Sequence, residues 1–154
     1  MEKIKSFQVN HDKLKKGLYI SRIDDDIVTY DIRMKEPNKG NYIETSAGHT
    51  IEHLFATYVR NNQKYSQNII YVGPMGCRTG FYFIVRDKIS NQEVLDLLKD
   101  TFKFISEYAG EIPGATRIEC GNYKEHDLIG AKKLAKEVFE ILSNWSTEKM
   151  NYDE

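Results

Sequence analysis

His49-Thr50-Ile51-Glu52-His53 carries, at helical spacing, the residue types that metal-assisted proton transfer needs. Two histidines four residues apart share one face of a helix, one turn above the other, so two imidazoles can grip a single cation. Glu52 lies beside His53 and three positions on from His49, close enough to act on whatever such a cation binds. The chain has only four histidines, so finding two of them here makes this stretch the leading candidate site. The letters H-x-x-E-H are also the inverzincin protease signature, and peptide hydrolysis is a competing reading. The bland reading is a solvated helix face, but both histidines flank an apolar stripe of Leu54, Phe55 and Tyr58 instead of opposing it.

A catalytic zinc-type site takes three protein ligands and leaves one position open, whereas a closed structural site takes four. Cys77, Cys120, His126, His11 and several carboxylates are candidates to join the two histidines. Cys77 sits in Gly73-Pro74-Met75-Gly76-Cys77-Arg78-Thr79-Gly80. Three glycines and a proline there make a tight loop with little side-chain bulk, open to close approach by a ligand. That setting favours a reactive thiol, with a small buried hydrophobe as the alternative, and Arg78 would favour the thiolate if it points inward. Cys120, followed by Gly121-Asn122-Tyr123, could be a ligand or a buried thiol. Residue chemistry alone does not separate the roles of the two cysteines.

The elements that must position these groups are readable. Leu18–Ile23 and Ile27–Arg33 alternate as strands around the turn Asp24-Asp25-Asp26. A helix with Thr45 or Ser46 as hydroxyl N-cap runs through the motif to about Asn61. Ile69–Val72 is a short strand broken by Gly73–Gly76, and Gly80–Val85 is another strand. Ser90-Asn91-Gln92-Glu93 is a capping box opening a helix to about Tyr108. Gly110–Gly114 is a loop, Cys120-Gly121 lies on an extended or irregular segment, and a last helix spans Asp127 to about Asn144. Met150–Glu154 is expected to fray. Hairpins with helices in separate blocks predict an α+β fold with a mainly antiparallel sheet.

At 154 residues the chain suits a single domain, 1–154, and a 40% apolar share is enough for a core. A net charge of −1 without a basic stripe argues against nucleic-acid binding. No apolar run approaches membrane-spanning length, and no apolar stretch follows the charged N-terminus, so no membrane partner or secretory leader is expected. Two cysteines make no disulfide scaffold and suit a reducing, cytoplasmic location.

Taken together, several blocks resemble the S-ribosylhomocysteine lyase family. They are Ser6-Phe7 with His11, Asp31-Ile32-Arg33, Pro37-Asn38, His49 to Leu54, Arg60-Asn61, Pro74 to Tyr82, Ile112-Pro113 and Cys120-Gly121, in family order along nearly the whole chain. The resemblance implies an α/β (α+β) fold, with helices on a mainly antiparallel sheet, in a homodimer with active sites at the interface. It implies that His49, His53 and Cys120 bind ferrous iron (Fe2+), for which zinc or cobalt (Zn2+, Co2+) can substitute. Cys77 is then the catalytic thiol and Glu52 the second acid/base. Ser6, His11, Arg33 and Arg60 become substrate-site residues, with the segment holding Ser6 and His11 reaching the partner's site. Arg33 is also expected to orient Cys77 or stabilise its thiolate. The implied reaction converts S-ribosylhomocysteine to homocysteine and 4,5-dihydroxy-2,3-pentanedione, the autoinducer-2 precursor. Two positions depart from the commoner family pattern: Asn10 before His11, and Tyr71 in the stretch before Pro74, both where aspartate is common. The second puts carboxylate recognition of the substrate's amino-acid end in doubt.

Overall fold

The structure, a computed structural model, describes residues 1–153. Strands β1 (Gly17–Asp24) and β2 (Ile27–Arg33) form the hairpin expected at the aspartates. Asp25 takes a left-handed conformation there (φ 52°), which aspartate tolerates better than most residues. Strands β3 (Ile69–Pro74) and β4 (Gly80–Arg86) form a second hairpin. The sheet order is β1-β2-β4-β3, antiparallel throughout. Pairing of Val28 with Val85, Tyr30 with Phe83 and Ile32 with Phe81 lines one face of the two central strands with buried apolar side chains. Gly80 is required where it sits: a Cβ there would collide with the Ile32 carbonyl across the β2–β4 pair.

Helices α1 (Thr45–Arg60), α2 (Asn91–Ser106) and α3 (Leu128–Ser143) cover that face. The stripes meet the sheet in one core: Ile51, Leu54, Phe55 and Val59 from α1, Val94, Leu98 and Phe102 from α2, and Ala131, Ala135 and Val138 from α3. Phe55 lies 5.4 Å from the ring of Phe83 in the sheet and 5.4 Å from that of Phe102 in α2, wedged between the layers. This is the α+β architecture expected from the hairpins and separate helix blocks.

The capping box forms as expected. Glu93 N donates to Ser90 Oγ at 3.1 Å, and Ser90 N donates to Glu93 Oε1 at 3.2 Å. Asp127 caps α3 by accepting from Gly130 N at 2.9 Å. Three expectations need correction. The hydroxyl cap on α1 is absent: Thr45 is already helical, and Glu44 occupies the N-cap without a side-chain bond. β3 continues to Pro74, because Gly73 and Pro74 pair with Tyr82 and Phe81. The C-terminal segment is tied down, with the Met150 side chain fully buried and its carbonyl accepting from Ile20 N at 2.7 Å. Beyond it, Tyr152 stacks on Tyr19 at 5.0 Å; of this segment Glu154 lies outside the described residues. Removing the Met150 side chain should therefore behave as a core truncation. Met150→Ala should cost about 2 kcal/mol or more and lower the melting temperature by about 4–8 °C, read by thermal circular dichroism.

Candidate metal centre and the adjoining cysteine loop

Burial of Ile51, Leu54 and Phe55 fixes the rotation of α1 about its axis, leaving His49, Glu52 and His53 half-buried at the edge of the helix. His49 Nδ1 donates to the Glu125 carbonyl at 2.7 Å, and His53 Nδ1 donates to the Pro113 carbonyl at 2.8 Å. A carbonyl can only accept, so each ring carries its hydrogen on Nδ1 and presents a bare Nε2. Gly114 turns the chain at φ 72°, and a Cβ there would press to 3.2 Å from His53 Nδ1. Cys120 Sγ faces both bare nitrogens, 3.4 Å from His49 Nε2 and 3.8 Å from His53 Nε2. Its turn is closed by Cys120 N donating to the Thr116 carbonyl at 3.0 Å. Asn122 N donates to the sulfur at 3.4 Å.

A fourth group joins them. The His126 ring stacks on His49 at 4.0 Å and meets His53 edge-on at 4.7 Å. One donor atom from each of His49, His53, Cys120 and His126 lies within 4.8 Å of the others. Thr50, buried in α1, organises this corner. It donates to the Ser46 carbonyl at 3.2 Å and accepts from Asp127 N at 2.9 Å, with His126 Nδ1 at 3.0 Å. With the Thr50 hydrogen on Ser46, the His126 proton is assigned to Nδ1. His126 Nε2 is buried with no hydrogen-bond partner. Burial first, then repulsion from His49 and His53, pushes His126 below the usual histidine range, which keeps it neutral near pH 7. Bare imidazole nitrogens beside a cysteine sulfur suit a late divalent metal without choosing among iron, cobalt and zinc. The donor set therefore fits a metal ion.

Glu52 borders two cavities. One, of about 340 Å³, is lined by His49, Glu52, Gly76, Arg78 and Phe81 among others. The other, of about 480 Å³, is lined by Glu52, His53, Arg60, Tyr71 and Gly114 among others. Arg60 Nη2 donates to the Ile70 carbonyl at 2.8 Å. Cys77 borders a third cavity, of about 420 Å³, with His11, Asn38, Tyr42 and Thr79, and shares the walls Gly76 and Arg78 with the first.

The Cys77 loop is a tight turn between β3 and β4. Arg78 N donates to the Met75 carbonyl at 3.0 Å, and Met75 N to the Gly80 carbonyl at 2.9 Å. Arg78 itself is left-handed (φ 60°), a conformation costing a non-glycine residue about 1–2 kcal/mol. Its side chain turns to the Ile43 carbonyl (3.3 Å) and the Tyr42 ring (5.6 Å). The cation tied to the cysteine is Arg33, whose Nη1 donates at 2.8 Å to Thr79 Oγ1, itself 3.0 Å from Cys77 Sγ. Arg33 is 4% exposed and lines none of these three cavities. His11 borders the cavity of its own chain's Cys77, with Nδ1 donating to the Val9 carbonyl at 2.9 Å. Ser6 lies in a short 3-10 turn, Lys5–Phe7, and lines none of these three cavities.

The comparisons with known proteins cover nearly the whole chain. The sequence pattern of the family described as S-Ribosylhomocysteinase (LuxS) matches residues 4–149. The chain belongs to that family. The S-ribosylhomocysteine lyase of Clostridium acetobutylicum is 45% identical over 158 residues, covering all of both chains. Those of Desulfotalea psychrophila and Borreliella afzelii are 42% and 45% identical, with 99% of each chain covered. As a member of the S-ribosylhomocysteinase family the protein is an enzyme, a lyase.

Sequence reasoning named His126 only as one of several possible ligands, and it overlooked Thr50. A helix-interior threonine looks like an indifferent surface residue until the chain 76 residues on packs against it. The metal assignment has a direct check. Cys120→Ala and His49→Ala should each lose metal on desalting. Thr50→Val should keep one metal per chain at saturation but bind it about 10–100-fold more weakly, measured by chelator competition.

Proposed function

We propose that this chain cleaves the thioether of S-ribosylhomocysteine, releasing homocysteine and 4,5-dihydroxy-2,3-pentanedione, with Cys77 and Glu52 as its acid/base groups. The observation that carries this reading is shared lining: Glu52 and His49 border a cavity also lined by Gly76 and Arg78, the two neighbours of Cys77 in its loop. His49, His53 and Cys120 would hold the divalent cation, ferrous iron with zinc or cobalt able to substitute, and when bound it supplies Lewis-acid polarisation of a sugar carbonyl.

A thioether on a sugar carbon leaves only when the neighbouring carbon can give up its proton. Two aldose–ketose shifts bring the carbonyl from the first ribose carbon to the third, which acidifies that neighbour. In each shift a base takes a proton from the carbon beside the carbonyl and returns it to the former carbonyl carbon. Cys77 Sγ, as thiolate, is suited to carry that proton, and Glu52 to move the hydroxyl proton that accompanies it. Removal of the proton beside the thioether-bearing carbon then expels homocysteine as its thiolate, and an enol is left to become the diketone. Arg60, which lines a cavity with Glu52 and His53, would meet the substrate's carboxylate. Tyr71 lies in the same cavity and can offer the amino group a phenol in place of a carboxylate.

The same reading includes a homodimer with the N-terminal segment, Ser6 and His11 included, at a shared site, in the cytoplasm. Ile4 and Phe7 are 56% and 69% exposed on that segment, apolar surface suited to cover by a second copy. Among the described residues no helix is long and apolar enough to cross a membrane. A thiol donor where a metalloprotease would supply a carboxylate disfavours peptide hydrolysis.

Incubation with S-ribosylhomocysteine should release one free thiol per substrate consumed. Cys77→Ala should abolish release while metal content survives, and metal loss instead would exchange the roles of the two cysteines. Glu52→Gln should keep substrate affinity but lose about 100-fold or more in kcat, and near-normal turnover would remove Glu52 from proton transfer.

A further inference from the structure

The sheet face opposite the helices carries a buried polar chain that ends at Cys77. Asp31 and Arg33 alternate onto that face of β2 and are 1% and 4% exposed. Arg33 grips Asp31 with two prongs, Nη2 to Oδ2 at 2.7 Å and Nε to Oδ1 at 3.2 Å. Tyr152, from the C-terminal segment, donates its hydroxyl to the same Oδ2 at 2.7 Å. The remaining prong, Arg33 Nη1, donates to Thr79 Oγ1. A guanidinium has no acceptor capacity, so Thr79 must accept there.

We propose that Thr79 is a positioning residue that directs its hydroxyl hydrogen at Cys77 Sγ, and that Tyr152 holds the Asp31–Arg33 pair that fixes this direction. The inference rests on the reading of Cys77 as the proton-carrying thiol and explains how this chain sustains it. Thr79 has one hydrogen. With Arg33 occupying a lone pair, that hydrogen is free for the sulfur 3.0 Å away. A neutral thiol could instead donate to Thr79, but a thiolate can only accept, so the bond strengthens as the sulfur loses its proton. The other charged or titratable groups near Cys77 are His11, Tyr42 and Arg78 in its cavity and Tyr82 on β4. Arg78 is turned to Ile43 and Tyr42, which leaves the Arg33–Thr79 path as the hydrogen-bonded route for positive charge.

Tyr152 is built to stay a donor. Burial first, then the adjacent Asp31 carboxylate, pushes its phenol well above the usual tyrosine range. Its ring is stacked on Tyr19, and the segment is anchored by buried Met150. With three donors on the Asp31 carboxylate, the Arg33 fork has one orientation open to it, and that orientation reaches Thr79.

The test uses full-length, metal-loaded enzyme. Alkylation of Cys77 by iodoacetamide at pH 7 is followed by peptide mass spectrometry, which separates it from Cys120, alongside kcat and KM. Thr79→Val should slow Cys77 alkylation about fivefold or more and lower kcat in parallel, with KM and metal content unchanged. Thr79→Ser should restore both. Tyr152→Phe keeps the ring stack and should slow both by about threefold. Wild-type alkylation rates in Thr79→Val overturn the hydrogen bond, and wild-type values in Tyr152→Phe overturn the role of the C-terminal segment. If Thr79→Val misfolds, Thr79→Ala gives the same readout. Failure of the wild type to release homocysteine would sink the lyase reading, while the alkylation ratios would still decide this one.

Discussion

An α-helix can bury only one stripe of its surface, and in α1 that stripe is Ile51, Leu54, Phe55 and Val59. Phe55 is wedged between Phe83 of the sheet and Phe102 of α2. Turning α1 by a single residue would swing about 100° of its surface and expel these side chains from the core. His49, Glu52 and His53 therefore hold their places at the helix edge without a dedicated framework. A close-packed interior resists displacement far more than a loop does. These three side chains take their precision from that packing.

The remaining pieces are brought to α1 by irregular chain, and each is tied to it by a hydrogen bond. The Pro113 and Glu125 carbonyls select the Nδ1-H form of the two histidines, so both present a bare Nε2 to the cluster. Thr50 joins α1 to the start of α3, since Asp127, whose backbone N–H it receives, is also the residue that caps α3. The segment from Cys120 to His126 is thus held at its far end by the same cap that begins a core helix. The geometry of the His/Cys cluster and the docking of α3 are properties of one structure.

What the sequence made legible was local. Helical spacing displayed the two histidines and Glu52, alternation displayed the hairpins, and Ser90 with Glu93 displayed a cap that forms. What it hid depends on distant chain. Cys120 becomes a partner of the two histidines only when a turn some seventy residues later folds back, and residue chemistry alone left its role open until the family resemblance supplied it. His126 meets Thr50 across 76 residues and Tyr152 meets Asp31 across 121. The last residues read as solvated tail because Lys149, Asn151 and Asp153 mask the buried Met150 and the stacked Tyr152 that alternate with them. Thr45 and Ser46 suggested a hydroxyl cap, yet the helix begins one residue earlier than such a cap requires.

The Asp31–Arg33 pair is costly by ordinary accounting. Burying two charges carries a desolvation penalty of several kcal/mol per ion, which mutual attraction offsets only with good geometry and further hydrogen bonds. A well-packed apolar pair would often serve stability as well or better. Here the geometry is two-pronged, and Tyr152 and Thr79 take up the remaining valences. An apolar substitute could fill the space but could not point a hydrogen at a sulfur. The arrangement makes sense if its product is direction. On the proposal above, positive charge at the end of central strand β2 is turned, through one hydroxyl, toward Cys77, while the cysteine itself stays on an exposed loop. A guanidinium placed directly against the thiol would occupy the space the substrate needs. Routing its influence through Thr79 keeps the charge buried and the sulfur free.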